Sequence, residues 1–145
     1  MNKVIVLIPH YNNFKGLIKS ISSIGKDENI DILIVDDGST IKINEGLIHQ
    51  SFKGQGTVFI EYLELNQGIE HALNSGLKTI LEKEYKFTGR LDCGDVCVFN
   101  RFKIQESFLE KNTEIVLVGS DVNFMDKTGK FLYRFITPKC DVDIK

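Results

Sequence analysis

Val4-Ile5-Val6-Leu7-Ile8 is an unbroken apolar run, mostly β-branched, with no polar residue between its members, and Ile30 to Val35 repeats the pattern. A strand that is apolar on both faces fits the interior of a parallel sheet covered by helices on both sides. Two such runs with helical spacing between them point to a layered α/β fold and away from a helical bundle or a β-sandwich. Pro9 is expected to end the first run, and the second enters Asp36-Asp37-Gly38-Ser39-Thr40 directly. Both strands therefore end in polar loops.

Phe14, Leu17, Ile18, Ile21 and Ile24 fall at helical spacing after Asn12 and Asn13, either of which can cap a helix, and Gly25 offers a stop. Ile43, Leu47, Ile48 and Phe52 line one face of a second helix, with Gly54 and Gly56 at its exit. Val58 to Leu65 alternates apolar and acidic residues, as a strand nearer the sheet edge does, and turns at Asn66-Gln67-Gly68. Ile69, Ala72, Leu73, Gly76, Leu77, Ile80 and Leu81 form the clearest apolar stripe. An apolar approach then stops at Leu91-Asp92-Cys93-Gly94-Asp95, after which Asn100 is placed to cap a helix carrying Phe102, Phe108 and Leu109 inward to about Asn112. Ile115 to Val118 reads as another buried strand. Asp121 to Met125 and Phe131 to Ile136, joined by Asp126-Lys127-Thr128-Gly129, read as a hairpin.

The order β-α-β-α-β-α-β predicts one domain over residues 1–145, a Rossmann-like, mostly parallel sheet with helices on both faces and a C-terminal hairpin. Pro9 to Asn12, Asp36 to Thr40, Asn66 to Gly68 and Asp92 to Asp95 then all lie at strand carboxyl ends, where open α/β sheets bind ligands. A net charge of -2 with dispersed lysines lacks the basic stripe that a nucleic-acid partner requires. Cys93, Cys97 and Cys140 are odd in number and lack Cys-x-x-Cys spacing, which fits a reducing, cytoplasmic setting. Val4 to Pro9 is too short for a membrane span. No glycine-rich phosphate loop of the dinucleotide or P-loop type follows any strand. The crevice is lined by acids, and a polyanion would reach it most readily with a divalent cation between.

Ile8-Pro9-His10-Tyr11-Asn12, Ile34-Val35-Asp36-Asp37-Gly38-Ser39, Asn66-x-Gly68 followed by Ala72-Leu73-Asn74-x-Gly76, and Leu91-Asp92-x-x-Asp95 followed by Asn100-Arg101-Phe102 resemble, in order and spacing, the family 2 glycosyltransferases of GT-A fold; Val118-Gly119-Ser120 extends the match. The resemblance implies transfer of a sugar from a nucleotide-diphosphate donor to an acceptor hydroxyl, usually with inversion, in polysaccharide or glycoconjugate synthesis. It implies that Pro9, Tyr11 and Asn12 shape the nucleotide pocket and that Asp36 and Asp37 receive the base, typically a uracil N–H. Asn66 and Gly68 would border the donor, Asp92 would face ribose and metal, and Asp92 with Asp95 would hold Mn²⁺ or Mg²⁺.

Two departures stand out. The family loop commonly reads Asp-x-Asp-Asp, and its third position here is Gly94. The family's catalytic base is an acid well downstream, expected beyond Lys145. A rival reading follows: a non-catalytic nucleotide-sugar-binding or interaction module that kept the fold. Simpler roles also stand beside the implied ones. Asp36 can cap its turn, Asn66 a helix, and Gly68 can serve backbone conformation alone. His10, His49 and His71 read as surface residues, and Arg90 as the partner of a loop aspartate rather than of phosphate.

Overall fold

The computed structural model describes residues 2–98 and 100–138; Cys140 lies outside them. The elements are β1 (Val4–His10), α1 (Phe14–Ser22), β2 (Asp31–Asp36), α2 (Glu45–Ser51), β3 (Val58–Tyr62), α3 (Ile69–Leu81), β4 (Phe87–Arg90), α4 (Arg101–Lys111), β5 (Val122–Met125) and β6 (Phe131–Phe135). The chain divides into two compact units, Met1–Ser107 and Phe108–Lys145.

In the first unit four parallel strands lie in the order β3-β2-β1-β4. Every residue of β1 and β2 is buried, as their unbroken apolar runs require. Alternate side chains feed two cores. Val4, Val6 and Ile8 of β1 join Ile32 and Ile34 of β2, Leu17 and Ile21 of α1, Ile48 of α2 and Phe102 of α4 on one face. Ile5, Leu7, Leu33 and Val35 meet Ala72 and Ile80 of α3 on the other. Gly76 lets α3 sit close, because a Cβ there would fall 2.4 Å from a Leu7 methyl.

Pro9 does not end β1, which continues to His10. The β1–β4 pairing ends at Leu7 opposite Arg90, so a missing N–H at Pro9 deprives no strand of a bond. Asn13 is the cap of α1, its side chain accepting the Gly16 N–H at 3.0 Å. The helix stops at Ser22, before Gly25, where the N–H of Ser23 closes on the carbonyls of Ser20 and Ile21.

The cap of α4 is not Asn100. That residue has φ +54° and its side-chain oxygen has no hydrogen-bond partner. Buried Glu28 takes the role from the segment between α1 and β2, accepting the N–H groups of Phe102 at 3.1 Å and Lys103 at 2.9 Å. A carboxylate satisfies two orphan helix donors at once and matches the positive end of the helix dipole. Of the three residues expected to face inward, Phe102 is buried, Leu109 is half-buried and Phe108 is exposed.

The second unit holds the expected hairpin. Asp126 Oδ1 accepts from the N–H groups of Thr128 and Lys130 and from the Thr128 hydroxyl, while the rings of Phe124 and Tyr133 stack at 4.6 Å. Ile115 to Val118 is not a strand, and Val116 and Leu117 are 92% and 85% exposed. An apolar run becomes a strand only beside an edge that completes its backbone bonds, and among the described residues none pairs with this one.

Candidate functional site

The parallel sheet sets the loops after β1, β2, β3 and β4 along one edge. Pro9, His10, Tyr11, Asp37, Asn66, Gly68, Ile69 and Ala72 line a cleft of about 180 Å³ between the end of β1, the β2 loop and the start of α3. Tyr11 stands at its mouth, 46% exposed, an apolar ring with a polar tip. Asp36, Asn12 and Asp92 are not among the lining residues; Asp36 is buried, Asn12 is exposed, and Asp92 belongs to the β4 loop.

Asp37 is buried, and its carboxylate draws in the Asn66–Gly68 turn. The Gln67 N–H is shared between Oδ1 at 3.1 Å and Oδ2 at 3.2 Å, and the Gly68 N–H reaches Oδ2 at 2.8 Å. Oδ1 therefore keeps an acceptor site, and Asp37 lines the cleft. Asn66 makes a local turn, its Oδ1 accepting the Gly68 N–H at 3.1 Å rather than capping α3. Gly68 adopts φ +95° as the residue before α3, a conformation that disfavours any side chain.

Asn12 and Asp36 tie the first two loops together. Asn12 Oδ1 accepts from the Thr40 N–H and hydroxyl, both at 3.0 Å, and the Asn12 N–H reaches the Ser39 hydroxyl at 2.9 Å. Asp36 Oδ1 accepts the Ser39 N–H at 3.0 Å, which makes it the cap of its own turn. His10 is not a surface residue. It is 3% exposed, and Nε2 accepts the Asn13 N–H at 3.2 Å, which leaves the ring proton on Nδ1, facing Ser39 Oγ at 3.4 Å and Asp36 Oδ1 at 3.6 Å. Burial lowers its pKa, against the opposing pull of Asp36. His49 and His71 are exposed, as expected.

The β4 loop hangs on Ser20, a buried hydroxyl of α1. It accepts the Gly94 N–H at 2.8 Å and bonds toward the carbonyls of Asp95 at 2.8 Å and Asp92 at 3.3 Å. Gly94 has φ +107°. Burial, then the charges of Asp92 and Asp95, push the Cys93 thiol up to about 11, so it is no nucleophile near neutral pH. Arg90 pairs side-on with Asp92, Nε to Oδ1 at 2.7 Å and Nη2 to Oδ2 at 3.0 Å, as the sequence suggested.

By itself this loop is a poor holder of the divalent ion that the resemblance implies. Both Asp92 oxygens are engaged by Arg90, Gly94 brings no ligand, and among the described residues no three His, Cys, Asp or Glu side chains are grouped to hold a metal. Mn²⁺ and Mg²⁺ need several oxygen ligands to replace lost hydration.

The sequence model of glycosyl transferase family 2 matches residues 5–141. The chain belongs to that family. Among curated relatives, an uncharacterized glycosyltransferase of Rickettsia bellii is 31% identical over 132 residues, 90% of this chain and 18% of its own length. Glycosyltransferase GlyG of Streptococcus pneumoniae is 31% identical over 136 residues, 91% of this chain and 43% of its own. The amylovoran biosynthesis glycosyltransferase AmsE of Erwinia amylovora is 32% identical over 97 residues, 62% of this chain and 35% of its own. The chain thus spans less than half the length of these relatives. Among solved structures, S. aureus TarS 1–349, also solved with UDP and with UDP-GlcNAc, superposes with a TM-score of 0.62 at 21% identity, covering 78% of this chain and 33% of that one. The fold is GT-A.

In this family 2 member the loops after β1, β2 and β3 meet at one sheet edge, and Pro9, Tyr11, Asp37, Asn66 and Gly68 share its cleft. Four contributors were not anticipated. Ile69 and Ala72 were counted as apolar stripe, yet the first turn of α3 also faces the cleft. Ser20 left a signal, being the one polar residue at a buried position of the α1 stripe. His10 left less of one, since only its place between Pro9 and Tyr11 at a buried strand end marked it.

Proposed function

We propose that this chain is the donor-binding part of a glycosyltransferase that takes a sugar from a nucleoside diphosphate, most naturally a UDP-sugar, for an acceptor hydroxyl in polysaccharide or glycoconjugate assembly. The carrying observation is the cleft itself, where Tyr11 offers a face for a base and Asp37 Oδ1 keeps an acceptor for a base N–H. Pro9, Asn66 and Gly68 border the same space, while Asn12 and Asp36 hold its walls. In this reading Asp92, on the adjacent β4 loop, faces the ribose and diphosphate. In the reaction the acceptor hydroxyl gives its proton to a general base as its oxygen attacks the anomeric carbon, the bond to the diphosphate breaks with its electron pair passing to the phosphate oxygen, and the configuration inverts.

Support for a UDP-sugar comes from TarS, a fold neighbour solved with UDP-GlcNAc, and support for polysaccharide assembly from AmsE. Cys93 and Cys97 are free thiols, in keeping with a reducing, cytoplasmic setting, and among the described residues no helix is long and apolar enough to cross a membrane. Gly94 and the engaged Asp92 favour the rival reading, a module that binds nucleotide sugars without turning them over.

Calorimetric titration with UDP, CDP and GDP tests the reading. UDP binds preferentially, and Tyr11→Ala weakens it about tenfold, the loss of one stacking contact of roughly 1–3 kcal/mol. Absence of binding by all three would remove the proposal. Sugar transfer to an added acceptor by the same protein separates enzyme from binding module.

A further inference from the structure

A diphosphate bound beside acids needs a cation, and among the described residues the loop where family 2 places a metal groups no three side chains to hold one. We propose that Arg90 binds the donor diphosphate directly, in place of a divalent metal. This rests on the donor-binding reading above.

Three observations carry it. Arg90 is the last residue of β4, pairs with Leu7 in register, and so shares the sheet face on which Leu7 meets α3, the same layer whose first turn lines the cleft. The Leu91 N–H to Leu7 carbonyl bond at 3.1 Å carries that alignment into the loop, bringing Asp92 near the level of Pro9. Next, the guanidinium is held side-on by Asp92 through Nε and one Nη2 hydrogen, which fixes its plane and leaves one hydrogen on each of Nη1 and Nη2 as an end-on fork. Such a fork matches two phosphate oxygens. Finally, the Arg90 side chain is 54% exposed and that of Asp92 42%, so the fork is reachable by a ligand and the charge of Asp92 is screened by water.

The occupation of Asp92 and the glycine at position 94 then have one explanation. With a guanidinium supplying positive charge, Asp92 serves as its positioning residue, and a third carboxylate would only add repulsion toward phosphate. The side chain packs into no core, so its replacement leaves the fold in place.

The test compares the parent, Arg90→Met and Arg90→Lys in calorimetric titrations with UDP, with EDTA and with Mn²⁺, alongside uridine binding followed by NMR shift changes. UDP affinity in EDTA is expected within about twofold of that in Mn²⁺. Arg90→Met should weaken UDP at least tenfold while uridine binding stays unchanged, and Arg90→Lys, which keeps charge but not the fork, should recover only part. Binding of UDP that requires Mn²⁺, or that survives Arg90→Met undiminished, overturns the proposal and leaves the nucleotide cleft standing. Failure of uridine as well as UDP under every condition overturns both.

Discussion

Gly94 shows how one backbone angle decides what a loop can hold. From sequence, Gly94→Asp looks like the restoration of a third carboxylate. The position has φ +107°, and although a Cβ would find nothing closer than Asn13 Nδ2 at 3.7 Å, an aspartate there sits in backbone space that side chains avoid. The variant should lose about 1–3 kcal/mol of stability, measured by urea denaturation, and should not tighten Mn²⁺-dependent UDP binding. His10 carries the other residue-scale consequence. Its folded pKa lies below the ordinary 6.5, so below that pH the unfolded chain binds a proton the folded one resists, and stability falls as pH drops. The slope from this group is at most about 1.4 kcal/mol per pH unit. His10→Gln, which keeps an acceptor for the Asn13 N–H without a titrating proton, should flatten the decline of melting temperature between about pH 6.5 and 5 relative to the parent.

Two of the helices begin under carboxylates supplied from far along the chain. Asp37 fastens the turn into α3, and Glu28 fastens the start of α4. The resemblance gave Asp37 a role at the base alone. Being buried with its oxygens on backbone N–H groups, it holds the loop as well as facing the cleft. Asp37→Ala should therefore lower both thermal stability and UDP affinity, whereas a purely ligand-facing residue would change affinity alone. For Glu28→Ala the expected loss is about 1–3 kcal/mol in urea denaturation, because the Phe102 N–H is left buried without a partner. UDP affinity should remain, since Glu28 is no part of the cleft lining.

At the scale of the whole molecule the candidate site residues all belong to the first unit, where β1 and β2 are buried along their full length. The hairpin of the second unit is exposed at every strand residue. Two strands alone are marginally stable in water. Native-state hydrogen exchange should find the slowest amides in β1 and β2 and much faster exchange in β5 and β6. Equal protection in both units would show that the hairpin is held by more than its own ladder and the Phe124–Tyr133 stack.

The sequence by itself determined the parallel sheet, the helices between its strands and the edge where polar loops gather, because unbroken β-branched runs and helical spacing are local patterns whose burial has few solutions. It also placed the motifs of the cleft, since βαβ connectivity brings every strand's carboxyl end to one side. What it left undecided were pairings across distance. Whether Asn100 or Glu28 caps α4, whether His10 faces water or Asp36 and Ser39 of the second loop, and whether Ile115 to Val118 meets an edge depend on which groups arrive from residues far along the chain. Only the tertiary structure settled them, because a hydrogen-bond donor takes the acceptor that packing brings within reach, and spacing in sequence carries no record of that choice.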